Sequence, residues 1–242
     1  MRVRTALQRD SAGMSEQGDL ESSARIALTL RRDPRGGLRG TGRVDSFTVR
    51  ASGASAYTTT APSAPPVTAP PLGSVNVDVL LDSSFVRASV RPALANECDR
   101  PEAAAASMAR DLLVRVPTSV AVGERWRDSL VAFVCRGGVP ITMRTVTETV
   151  VERSDDGDRR LQLRRTLTTR LEGVLRSPWR QVELAGEGVG GQTITLDIAR
   201  GTIVELDGES TLTFRMANGS LRDASRVQRV VQRATVQVRA VR

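Results

Sequence analysis

Histidine and lysine are both missing from this sequence, and every one of its 35 basic residues is arginine. Without histidine the usual general base near neutral pH is gone, and so is the commonest metal ligand. Serine–histidine and cysteine–histidine nucleophile pairs are excluded, as are histidine-containing zinc sites. Aromatic residues make up only 3%, so the core that a 40% hydrophobic content permits must be filled by Val, Leu, Ile and Ala. No apolar run reaches the length of about 18 residues that a membrane-spanning helix needs. Nor does the start of the chain show a basic segment followed by an apolar one, the pattern of an export signal.

Cysteine is scarce too. Cys98 and Cys135 are either two buried thiols or one disulfide closing a loop of 37 residues. Such a bridge would stabilise the fold by roughly 3–4 kcal/mol through loop entropy. Cys98 lies in the polar stretch NECDRPE, where a free thiol would be exposed, so the disulfide is expected, and with it an oxidising compartment. The missing export signal is reconciled with this if the signal lies upstream of Met1. The competing reading is a cytoplasmic protein with two reduced cysteines.

The charge is +8 with an isoelectric point near 11.1. That balance ordinarily points to nucleic acid or an anionic membrane. Here the arginines are scattered along the chain and stand wherever lysine would, which reads as a coding bias and argues against nucleic acid. The densest stretch, DGDRRLQLRRTLTTRLEG at 156–173, shows why. Leu161, Leu163, Leu167, Thr169 and Leu171 fall on odd positions; Arg160, Gln162, Arg164, Thr166, Thr168, Arg170 and Glu172 fall on even ones. A period of two puts these sets on opposite faces of a strand, apolar in and polar out. Arg165 alone interrupts the leucine face. The expectation is a side chain near a rim that snorkels to water; the functional alternative is an arginine at a cavity mouth that meets an anionic head group.

The same alternation recurs along the chain. MRVRTALQRD is a strand with Val3, Thr5 and Leu7 on one face, SAGMSEQGDLES a polar turn, and 25–32 and 42–50 two further strands. Residues 51–73, rich in Pro, Ala, Ser and Thr, predict a mobile loop inside one sheet. A hairpin over 75–81 and 84–91 turns at Asp82-Ser83. DRPEAAAASMARDLLVRV then predicts one helix, with Asp99 as N-cap, Pro101 in its first turn, and Ala105, Met108 and Leu112 on one face up to Pro117. Seven strands follow, over 125–136, 140–153, 159–172, 181–188, 192–199, 202–216 and 221–240. GEGVGG at 186–191 is followed by a strand, so it predicts a bulge or bend and not a phosphate loop. Asn218-Gly219 predicts a hairpin turn. The whole predicts a mainly β chain, 1–242 as a single β domain: a large curved antiparallel meander, an incomplete barrel of about ten to twelve strands, with one helix packed on the concave face.

This order of elements resembles the lipoprotein-carrier fold of bacterial envelopes. VAVGERWRDS (120–129) and LDIARGTIVELDGES (196–210) are similar to segments of uncharacterised exported proteins of that shape, over about residues 75–242. The resemblance implies a hydrophobic concavity for acyl chains, a periplasmic or outer-envelope location, and no catalytic motif. Ligand-binding candidates are therefore Arg165 together with Trp126, Met108 and Leu112. Asp155, Asp156 and Asp158 lack a complete calcium loop. Glu205, Asp207 and Glu209 share a strand face and are expected to pair with arginines across the sheet. The sequence thus predicts a non-enzymatic exported protein without cofactor, binding a lipid-like ligand or an envelope protein. The alternative is a structural or protein-interaction module whose apolar interior is plugged.

Overall fold

The structure, a computed structural model, describes residues 1–11, 14–33, 37–53, 67–69, 72–91, 98, 100–117, 120–136, 139–155, 159–177, 181–198, 200, 202–222 and 227–240. Twelve strands and one helix follow one another along the chain: β1 (Arg2–Ser11), β2 (Met14–Arg32), β3 (Leu38–Gly53), β4 (Val67–Ala69), β5 (Val75–Leu81), β6 (Phe85–Arg91), α1 (Pro101–Asp111), β7 (Arg125–Arg136), β8 (Val139–Asp155), β9 (Arg160–Arg176), β10 (Gln181–Asp197), β11 (Thr202–Asn218) and β12 (Val227–Arg239). Each strand pairs with its neighbour in the chain, except that β5 pairs with β3 and not with β4; the pairing of β1 with β12 then closes the ring. The result is a closed barrel of eleven strands, not the incomplete barrel expected. Short β4 lies outside the ring's order, on the edge of β3 beyond the reach of β5.

Eleven is an odd number, and that has a geometric cost. Strands around a closed ring can alternate direction only if their number is even, so one joint must be parallel. That joint is β6–β7, where pairing is limited to Phe85↔Val131 and Val86↔Ala132. A parallel connection needs a crossover. The chain makes it through the barrel: α1 enters beside the end of β7, and Leu112, Val114, Val116 and Val120 pack at the end where β7 starts. Cys98, just ahead of α1, is bonded to Cys135 in β7, with Cα atoms 5.0 Å apart. The disulfide therefore staples the crossover to the weakest joint in the ring.

Burial follows the alternation. In β9, Leu161, Leu163, Arg165 and Leu171 are buried, while Arg164, Thr166, Thr168, Arg170 and Glu172 are exposed. The leucines face in and the arginines other than Arg165 face out, the reverse of the apolar-out wall of a membrane barrel. No helix among the described residues is long and apolar enough to cross a membrane. Three clusters fill the interior. One joins α1 (Ala105, Ala106, Met108, Ala109) to Val44, Phe47, Val77, Val79 and Leu81 of β3 and β5. A second lies at the disulfide end, around Val134, Ile141, Leu184 and Phe214. The third, at the opposite end, packs Leu112, Val114, Val116 and Val120 onto Val151, Leu163, Ile194 and Leu206.

Several local expectations change. The polar stretch at 11–22 is not one long turn: Met14–Ser23 pairs residue for residue with β1 or β3, because partners on both sides outweigh weak strand propensity. The 186–191 glycines break nothing; β10 runs unshifted past β9 from Gln181 to Asp197, and its one irregularity with β11 falls at Thr195/Leu196. Gly186 and Gly188 face large cross-strand neighbours, where a Cβ would sit 2.4 Å from Phe214 Cβ or from Leu212 Cδ2. The helix starts from Arg100 with no side-chain cap and ends at Leu112, well before Pro117. Asp99 lies outside the described residues, as does most of the 51–73 loop, although 51–53 and 67–69 are strand. In β3 an extra residue, Ser46, takes a positive φ of 54°. It shifts the register with β2 so that Val44 and Phe47, three apart, both face inward.

Candidate ligand-binding site

Two features of the barrel offer chemistry. The first is a cavity of about 940 Å³ at the β6–β7 joint. Beyond Val86↔Ala132 the two strands no longer pair, and the gap is lined by Ala88 from β6, Val134 from β7 and Ala103 from α1. It continues over Phe133 and Val174, which are 66% and 48% exposed. The Cys98–Cys135 bridge forms part of its wall.

The second feature is polar and buried. Registers place Trp126 opposite Thr149, Thr149 opposite Arg165, and Arg165 opposite Gln192. Four adjacent strands thus contribute one inward row, about 14 Å long at the usual strand spacing. Arg165 is 8% exposed and Thr149 3%. Arg165 Nη1 donates to Gln192 Oε1 at 3.0 Å. Yet Arg165 Nε, Thr149 Oγ1 and Trp126 Nε1 are buried without a partner among the described residues; a fourth such atom, Glu102 Oε2, belongs to α1. Leaving a buried polar group unpaired costs about 1–3 kcal/mol each. Three in a row is an unusual concentration.

Charge sharpens the picture. Burial pulls the Arg165 guanidinium down to about 10, while the charge of Asp128 pushes it back up. It remains charged at neutral pH. Asp128, nearly buried, is itself held by Arg115 at 3.0 Å. Arg115 also lies beside the Asp82 carboxylate and donates to the Ser83 and Asp82 carbonyls, so it is not left to Asp128 alone.

The four candidate residues do not all meet. Arg165 is no rim residue: it points into the barrel, one strand over from Trp126's neighbour. Trp126 is half-buried and packs with Leu112 and the segment after α1. Met108 is 5% exposed and belongs to the separate cluster under β3 and β5. The sequence reading missed Thr149, Gln192, Asp128 and Arg115. The first three were detectable in principle, as polar residues at inward parity in otherwise apolar-faced strands.

The other candidates resolve simply. Arg239 reaches both Glu205 and Asp207 at 3.0 Å, so two of the three acidic residues pair across the sheet as expected. No group of three acidic or cysteine residues among those described is placed to hold a metal. Asp156 and Asp158 lie outside the described residues. Arg164 on the outer face of β9 pairs with Glu152 at 2.9 Å, the behaviour of a solvated face.

Fold and site together define a class: a closed antiparallel barrel, polar outside, whose lumen is crossed by its own helix and holds a buried cationic row. No protein-family model matches the chain, and neither does any of the characterised proteins compared with it.

Proposed function

We propose that this chain is a non-enzymatic exported protein that binds an apolar or amphiphilic, lipid-like ligand, or an envelope component, against its inward sheet face. The observation that carries the reading is the cavity at the β6–β7 joint. Its volume of about 940 Å³ falls in the range of small-molecule sites, and its lining sets apolar Ala88, Val134 and Leu184 beside charged Arg87, Glu172 and Glu183, a mixture suited to an amphiphile. Phe133 and Val174 expose apolar surface at its mouth. The disulfide fits an oxidising compartment and hence export to the periplasm or outer envelope. The lack of histidine supports a binding role over catalysis.

One observation favours a second reading, a structural or protein-interaction module with a plugged interior. Helix α1 and the side chains of Leu112, Val114, Val116 and Val120 occupy the lumen themselves, packed into two of the three core clusters. Native mass spectrometry of protein expressed in bacteria separates the two. Lipid that co-purifies, and is lost in a Phe133→Asp, Val174→Asp variant, supports the binding reading. A clean apo mass, with no uptake of an apolar dye, would establish the plugged module.

A further inference from the structure

We propose that the inward row Trp126–Thr149–Arg165–Gln192 is an oxyanion site that takes the carboxylate head of a fatty-acid-like amphiphile. This deepens the amphiphile reading and rests on it for the apolar part of the ligand. The three unpartnered atoms are an indole N–H, a guanidinium N–H and a hydroxyl, so all three can donate. Gln192 Oε1 accepts from Arg165 and Asp128 Oδ1 from Arg115, and neither residue reaches the three unpartnered donors. What the row lacks is an acceptor. It also lacks a hydrogen-bonded counter-charge, since the partner that accepts from the Arg165 guanidinium is the neutral Gln192 amide, and buried charge is normally paired.

A carboxylate answers both needs. It bears one negative charge, only accepts, and has two oxygens to share among neighbouring donors. A phosphate monoester would bring nearly two charges, more than the row leaves open. Around the row, Val151, Leu163, Ile194 and Leu206 are at most 1% exposed. They set the row among apolar side chains, surroundings hostile to a hydrated ion.

The test uses Trp126 itself. Of the two tryptophans, Trp179→Phe leaves Trp126 as the sole reporter in the full-length protein. Its emission is followed during titration with decanoate, 1-decanol and acetate. Decanoate should bind at least about tenfold tighter than decanol, the effect of one charge-assisted hydrogen bond. Arg165→Gln should abolish that difference. Thr149→Val, which keeps the side-chain shape, should weaken decanoate several-fold and leave decanol unchanged; it carries the test if Arg165→Gln does not fold. Equal affinity for decanoate and decanol, unchanged by either substitution, overturns the oxyanion site while leaving the amphiphile reading in place. Acetate binding as well as decanoate, dependent on Arg165 and with no response to decanol, upholds the oxyanion site and overturns the amphiphile reading. No response to any of the three removes both.

Discussion

Replacing Cys98 and Cys135 with alanine should destabilise this protein by about 4 kcal/mol. The bridge closes a segment of 37 residues. Loop-closure entropy for that length is about −13 cal/mol/K, or about 4 kcal/mol at 25 °C. For a chain of this size each kcal/mol lowers the melting temperature by about 2–4 °C, so a fall of roughly 8–16 °C is expected. The loss should also be local in character. The β6–β7 joint has two paired positions where β9–β10 has seventeen, so without the bridge β6 and α1 should open first. Urea unfolding followed by circular dichroism gives the free energy, and amide hydrogen exchange gives the location. A loss below about 1 kcal/mol would refute the entropic reasoning. Equal loss of protection in β9 and β10 would refute the claim that the parallel joint is the weak point.

Four further outcomes are expected. Leu163→Ala, at a position with no exposed surface in the third core cluster, should cost about 2–5 kcal/mol in the same urea assay. Phe133→Ser, at a side chain 66% exposed, should stay within about 0.5 kcal/mol. Gly186→Ala should destabilise by about 1–3 kcal/mol, because the new methyl meets Phe214 Cβ at 2.4 Å and Thr213 O at 2.5 Å, whereas Gly73→Ala meets nothing within 4 Å and should be neutral. The Asp45 carboxyl is held below its ordinary 3.8 by the Ser74 hydroxyl first and Arg43 second. Its contribution to stability is therefore present above the unfolded pKa and is lost as pH falls through the lowered folded value. NMR titration should show Ser74→Ala raising the Asp45 pKa toward 3.8, and an unchanged value would show that Ser74 is not the main cause.

Much of the local structure was legible because each strand reports its own faces. The parity of Leu161, Leu163 and Leu171 assigned an inside and an outside to β9 before any partner was known, and the burial of those residues agrees. The alanine run after Pro101 marked the helix, since small residues permit close packing inside a barrel. The glycines of β10 were misread for the opposite reason. A glycine signals a break when read alone, yet Gly186 and Gly188 are required by Phe214 and Leu212 on the next strand. The candidate site was only half visible: Arg165 stood out as a charge among leucines, but Thr149 and Gln192 look ordinary until three registers align them.

By itself, then, the sequence determined which residues turn inward, where the one helix forms, and which thiol could bond to which, there being only two. Tertiary structure decided the rest. Period-two patterning names a face but never a neighbour, so nothing local says that β1 meets β12 or that β3 pairs beyond β4 with β5. Those long-range pairings close the ring, and closing it with eleven strands forces the parallel joint, the crossover through the lumen and the position of the disulfide. Closure also removes the rim at which Arg165 was expected to reach water. Once the sheet has no open edge there, an inward arginine has only the interior to face, and its need for a counter-charge becomes a property of the fold.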